Sequence, residues 1–311
     1  SRKAVHGHFF RVAGPIGLVV IMMAALLAIT AYAYYNNRRD ALALSDEVLG
    51  AIERRIGGEL AAFITPIEDT VRLTADFLSN TSFDIHNRDL LEPLAFDVLA
   101  NLSQVANFIV ADPQGNFLMI ARQPDGSLHT KIIERPAGAP RTTWIRRDVD
   151  GNVVDEETSV DDSYDPRNRP WYTGAVNHTK VYWSDFYIFF TTQTHGVTVS
   201  LPIIGENDER LGVFGLDIEI REISAFLKTL KIGQNGEAII VDEDGFIVAH
   251  PEIDKMVKKE GDVFKPIRVE ELGKPVFTRA YSRFKIDGYG HRDIVVDGQR
   301  YLSAVFLLLQ E

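Results

Sequence analysis

Hydrophobic and polar positions fall into three rhythms along the chain. The first is a continuous one: residues 12–37, VAGPIGLVVIMMAALLAITAYAYYNN, carry no charge. A run of about 20 apolar residues is what a helix needs to cross a bilayer, and Tyr32, Tyr34 and Tyr35 at its end suit an aromatic belt. A transmembrane helix is expected over 12–35, after a cytoplasmic N-terminus at 1–11. A cleaved signal peptide is the alternative, because AYA at 31–33 has the small-residue form of a cleavage site. The apolar run is longer than a usual signal core, which favours the anchor. The second rhythm has intervals of three and four: Leu49, Ile52, Ile56, Leu60, Phe63, Ile67, Val71, Thr74 and Leu78. That is the period of an amphipathic helix, predicted as a stalk over 36–82. Asp46 and Glu47 suit its early turns, while Gly57 and Gly58 weaken it and Pro66 is expected to kink it. Its seam packs on its own domain, pairs with a second copy, or does both.

The third rhythm is alternation. FIVADPQGNFLMIA at 108–121 and AIIVDEDGFIVAH at 238–250 share one plan, an apolar strand, Asp-x-x-Gly, and another apolar strand. The aspartate side chain supports such a turn and the glycine takes its positive φ. Two such hairpins, 130 residues apart by Asp112 and Asp242, predict two similar modules in tandem, at 83–225 and 226–311. Between them the sequence predicts strands at 186–192, 197–204 and 210–220, and a helix over REISAFLKTL. A last hairpin is predicted to turn at Asp297-Gly298. The fold class is α+β, with antiparallel sheets and helices on one side.

Charge narrows the partners. With 33 basic and 44 acidic residues the net charge is −11, and the three basic residues ahead of position 36 leave the remainder more acidic still. Such a body argues against nucleic acid and anionic membrane surfaces as partners. Arg2, Lys3 and Arg11 before the apolar run, against Arg38 and Arg39 after it, lean toward a cytoplasmic N-terminus and a body outside the cytoplasm. Cysteine is absent, which excludes disulfides and thiolate metal sites. No nucleophile–base pair, metal cluster or phosphate loop stands out, so neither a catalytic residue nor a cofactor is expected.

Chemistry concentrates in YDPRNRPWY, residues 164–172. Arg169 offers a planar fork suited to a carboxylate, and Pro170 suits the first position of a helix at 170–176, whose amides would add to an anion's welcome. Alternatively Arg169 pairs with Asp161, Asp162 or Asp165 and ties down a loop, a task also expected of Arg167. Trp171, Tyr172 and Tyr187 are either cleft walls with polar handles or core. Asp217 interrupts an apolar strand, beside Gly215. A buried carboxylate needs a partner, either a ligand ammonium or a basic side chain of the protein.

Together the anchor, the long helix, the two α/β modules and the pattern Tyr164, Arg169, Trp171, Tyr172 resemble the double Cache family, tandem PAS-like sensor regions of bacterial transmembrane receptors. The resemblance covers about residues 36–305. It implies that the distal module binds an amino acid or related amine-carboxylate, with Tyr187 and Asp217 completing the contact set of Tyr164, Arg169, Trp171 and Tyr172. Members that bind amino acids often carry a second acidic residue two positions after the later tyrosine, where this chain has Phe189. The resemblance further implies a homodimer held in the inner membrane, with its sensor in the periplasm. The chain itself would be no enzyme, but part of a longer transducer whose output is a chemoreceptor, kinase, diguanylate cyclase or class III adenylate cyclase. The rivals are a simple-carboxylate sensor, a membrane-anchored periplasmic enzyme and a ligand-free structural ectodomain that pairs receptors.

Overall fold

A computed structural model describes residues 2–81, 83–136, 139–160, 162–230, 232, 236–252, 257–260 and 263–305, with the backbone alone at 2–21, 38, 40–49, 257–260 and 263–266. Helix α1 runs from Arg2 to Asn80 as one element and continues through Gly57, Gly58 and Pro66. It therefore begins well ahead of the expected stalk and includes the expected span. Among the described residues no helix is long and apolar enough to cross a membrane. The first part of that span, 12–21, lies outside the residues whose side chains are described.

The chain divides into two compact units, Ile56–Lys285 and Ser1–Arg55 with Ile286–Glu311. The larger unit is built on a nine-stranded antiparallel sheet. Its strands are β1 (Asn107–Ala111), β2 (Phe117–Arg122), β3 (Leu128–Glu134), β4 (Arg141–Arg147), β5 (Val153–Ser159), β6 (Tyr182–Trp183), β7 (Tyr187–Ile188), β8 (His195–Ile204) and β9 (Arg210–Glu219). They lie in the order β5-β4-β3-β2-β1-β9-β8-β6, with β7 beside β8. β1 and β2 are buried on both faces. Phe108, Val110, Leu118 and Ile120 turn toward one core with Leu216 and Ile218, whereas Ile109, Ala111, Phe117 and Met119 turn toward a second core with Trp171 and Tyr172.

The first core is closed by α1 and by α2 (Arg88–Asn101). Ile67, Val71 and Leu78 of α1 are fully buried within the single chain, so that part of the expected seam packs on the chain's own domain, while Ile52, Ile56 and Phe63 stay half-buried. Arg122 of β2 donates to the carbonyls of Leu99 and Leu102, which satisfies open acceptors at the end of α2. Arg147 of β4 donates to Glu92 of α2 at 2.8 Å. The second core is closed by the loop before α3 (Pro170–Val176) and by α3 itself.

The repeated turns take the form their sequences imply. Gly115 and Gly245 have φ of +86° and +83°, and the Asp112 and Asp242 carboxylates accept from the amides of Asn116 and Phe246. The run 186–192, read as one strand, pairs only at Tyr187 and Ile188 and then leaves the sheet. Beyond α4 (Ile220–Thr229) the sheets are two-stranded: β10 (Ile240–Val241) with β11 (Ile247–Ala249), and β12 (Val257–Glu260) with β13 (Val263–Pro266). Helix α5 spans Pro275–Asp287. In the smaller unit β14 (Gly290–Val296) and β15 (Gln299–Val305) form the last hairpin, with Asp297 and Gly298 both at positive φ. There His291 meets Glu53 of α1 at 2.6 Å.

Candidate ligand-binding site

The second face of the sheet carries a narrow cleft, about 20 Å³ in volume. Its polar floor is set by strand register. Asn107 of β1 and Thr198 of β8 both lie opposite Asp217 of β9, so three polar side chains meet in a row. Thr198 Oγ1 donates to Asp217 Oδ1 at 2.6 Å and Asn107 Nδ2 to Oδ2 at 2.9 Å. No lysine or arginine stands within ion-pair range of Asp217 among the described residues. Burial raises its pKa to about 6, against the lowering pull of those two hydrogen bonds.

The same contacts fix the polarity of Tyr187. Thr198 spends its proton on the carboxylate, so the 2.6 Å contact between Tyr187 and Thr198 has the phenol as donor. Tyr187 therefore offers the cleft its oxygen lone pairs, and its own ionisation is pushed up by burial. This end of the cleft is a set of acceptors.

The opposite charge comes from Arg169. Arg167 takes Asp165 with two bonds, at 2.9 and 2.7 Å, and Lys131 takes Asp162 at 2.6 Å. Asp161, the third candidate, lies outside the described residues. Arg169 itself donates to the carbonyl of Ile188 at 2.7 Å and lies over the Tyr187 ring. Among the described residues it has no carboxylate partner. The α3 helix starts at Pro170 as the sequence implies, but its Tyr172 and Thr173 amides already bond the Arg169 carbonyl. With seven residues, α3 adds no anion site of its own.

Of the six residues expected to hold a ligand, Tyr164, Arg169, Trp171, Tyr187 and Asp217 line this cleft. Tyr164 is buried and its oxygen accepts from Trp171 Nε1 at 3.3 Å. Tyr172 is set outside the lining. Its ring packs edge-on against Trp171 and its hydroxyl donates to the Asp112 carbonyl, tying α3 to the β1–β2 turn. Phe189 lines the cleft and its ring lies against the bare face of Gly196, where a Cβ would stand 2.4 Å from it. Asn107, Thr191, Thr192 and the Lys131–Asp162 pair escaped sequence reasoning. No metal-holding cluster occurs among the described residues.

A Cache domain model, dCache_1, matches residues 38–305. Similar curated proteins include the methyl-accepting chemotaxis proteins McpG of Pseudomonas putida, 31% identical over 40% of this chain, and PctB of Pseudomonas aeruginosa, 29% identical over 50%. Those matches span only 19% and 24% of the two receptors' own lengths. Among solved structures, the ligand-binding domain of the Campylobacter jejuni chemoreceptor Tlp3 in complex with L-valine superposes with a TM-score of 0.57 at 12% identity, covering 84% of this chain and 87% of that one. That of Pseudomonas fluorescens CtaA in complex with L-alanine superposes at 0.51 and 17%, covering 83% and 87%. At such identities the likeness is one of fold.

Proposed function

The chain belongs to the Cache domain family, and from that premise we propose that it is the extracytoplasmic sensing region of a membrane signal transducer, with a small amino acid or related amine-carboxylate as its ligand. The observation that carries this reading is the unpaired charge in one cleft. Arg169 has a carbonyl but no carboxylate, and Asp217 has neutral donors but no cation. A zwitterion supplies both missing partners, the carboxylate meeting the guanidinium fork and the ammonium meeting Asp217 and the Tyr187 oxygen. Tyr164, Trp171 and Phe189 close the space around it. The complexes of Tlp3 and CtaA with L-valine and L-alanine support the ligand class.

In this reading 83–225 is the distal, binding module and 226–311 the proximal one, and residues 12–35 anchor the chain with α1 as its stalk. Met22, Leu26, Leu27 and Ile29 stand more than half exposed along α1, a face that suits lipid better than water. A ligand shifts such a receptor only by binding one conformation better than another. The first core packs the sheet on α1, and Trp183 of β6 donates to Glu68 of α1 at 2.7 Å, so α1 is the element a change in the sheet would move. The curated relatives favour a chemoreceptor-type parent over a cyclase or kinase.

Calorimetric titration of the chain against matched triads, an L-amino acid, the amine lacking its carboxylate and the acid lacking its ammonium, tests the ligand class. The amino acid alone should bind tightly. Equal binding of the plain acid would favour the carboxylate-sensor reading, and turnover of any of the three the enzymatic one.

A further inference from the structure

We infer that Thr191, held in place by Lys131, is a third recognition point of the cleft and selects ligands whose side chain ends in a neutral oxygen acceptor, an amide carbonyl or a hydroxyl. This rests on the amino-acid reading given above and concerns only the far end of the ligand.

The sheet register places the pieces. Ile109, Met119, Lys131 and Trp144 lie opposite one another on β1, β2, β3 and β4, so Lys131 continues the row whose Ile109 and Met119 form the cleft floor. Lys131 is 2% exposed. Its ammonium donates to Asp162 at 2.6 Å and to Thr191 Oγ1 at 3.1 Å, and it lies 5.3 Å from the Tyr164 ring centroid and 5.9 Å from that of Phe190. An ammonium has donors only. The Thr191 oxygen is therefore the acceptor in that bond, and its own proton is free to point elsewhere. Nothing among the described residues accepts it, and Thr191 lines the cleft. A hydroxyl whose oxygen accepts from a cation is also a stronger donor in turn, since chained hydrogen bonds polarise one another.

Thr192 gives a contrast. Thr194 donates to Glu219 at 3.1 Å, so the 2.7 Å Thr192–Thr194 contact uses the proton of Thr192. Of the two threonines at this end, only Thr191 has a donor to spare.

The charge of the ligand's far end follows from Asp162. It neutralises Lys131, so an additional carboxylate here would face that carboxylate with no cation left over. A neutral acceptor carries no such cost. Asp217 on β9 and Lys131 on β3 have two strands between them. The ammonium end and the Thr191 end of the cleft are thus separate contacts, and a ligand as short as alanine would use only the first.

The test is calorimetric titration of the full 311-residue chain in detergent with near-isosteric pairs, L-asparagine against L-leucine and L-glutamine against L-norleucine, with L-glutamate as the charged arm. The polar member should bind at least about fivefold tighter, the worth of one net hydrogen bond, and L-glutamate should bind more weakly than L-glutamine. Thr191→Val should bring each pair to within about twofold by weakening the polar member alone, and Thr191→Ser should restore the difference. Equal affinities within each pair in the wild type, or a preference that survives Thr191→Val, would overturn this inference and leave the amino-acid site standing. Binding of no member of any pair would overturn both.

Discussion

Burial lifts the Asp217 pKa to about 6, and this sets the pH response of the cleft. An ammonium needs the ionised carboxylate, so ligand affinity should rise as pH increases through 6 and level off above it. Below that it should fall by up to about tenfold per pH unit, with proton release on binding near pH 6. Calorimetry in buffers of differing protonation enthalpy measures both, and a flat profile between pH 5 and 7 would exclude Asp217 as the ammonium partner. For folding the sign is opposite. A raised carboxylate pKa favours the folded state fully below about pH 4, the unfolded value, and that contribution is lost as pH rises through 6. The tyrosines divide by position. Tyr187→Phe removes a neutral hydrogen bond inside the cleft and should weaken ligand binding by about 0.5–1.5 kcal/mol. Tyr172→Phe, whose hydroxyl serves the Asp112 carbonyl, should lower stability by a similar amount and leave affinity unchanged. Equal affinity losses in the two variants would contradict this placement. Asp217 was legible because a carboxylate in an apolar strand is costly wherever it lands. Tyr172 was not separable from Trp171, because adjacent helical residues face different ways and the sequence does not say which faces the cleft. Asn107 and Thr198 meet Asp217 only through strand register, and Lys131 meets Thr191 from a segment 60 residues away that has left the sheet.

Among the elements, α1 shows a periodic pattern whose spacing does not by itself name its partner. Ile67, Val71 and Leu78 are spaced as a helix face and are fully buried, but against the sheet and α2 of the same chain. Leu78→Ala should cost about 2–5 kcal/mol of stability by urea unfolding, and Leu73→Asp, at a position 70% exposed, should cost little. Similar losses for both would mean that Leu73 is covered as well. The Asp-x-x-Gly hairpins were legible because their causes are local: a carboxylate that accepts from its own turn and a glycine at positive φ. The run at 186–192 was misread because strand propensity does not say how far pairing continues. The chain leaves β8 after Ile188, and Phe189 settles on Gly196. Gly196→Ala would put a Cβ 2.3 Å from the Ile218 carbonyl as well as against Phe189. It should therefore destabilise the fold and disturb the cleft wall together.

For the whole molecule, the family and the antiparallel α+β class were readable because the long helix, the paired hairpins and the Tyr164–Tyr172 segment agree with one another. The sequence does not separate a seam for a second copy from one for the chain's own core, and Ile67, Val71 and Leu78 serve the latter. Leu73 and Phe77 remain exposed, one turn apart on α1. If a homodimer forms along this helix, single cysteines there should cross-link in membranes while cysteines at Val71 or Leu78 should not. Topology is tested by a reporter fused after residue 100, expected to be active outside the cytoplasm and silent within it. The central claim, a zwitterion held between Arg169 and Asp217, meets its most direct test in calorimetric titration of Arg169→Ala and Asp217→Ala with the amino acid that the wild type binds. Removing one partner of such a desolvated charge pair typically costs about 2–5 kcal/mol, so each variant should bind roughly 30-fold or more weakly with its fold intact, whereas an Asp217→Ala variant that binds as tightly as the wild type would contradict it.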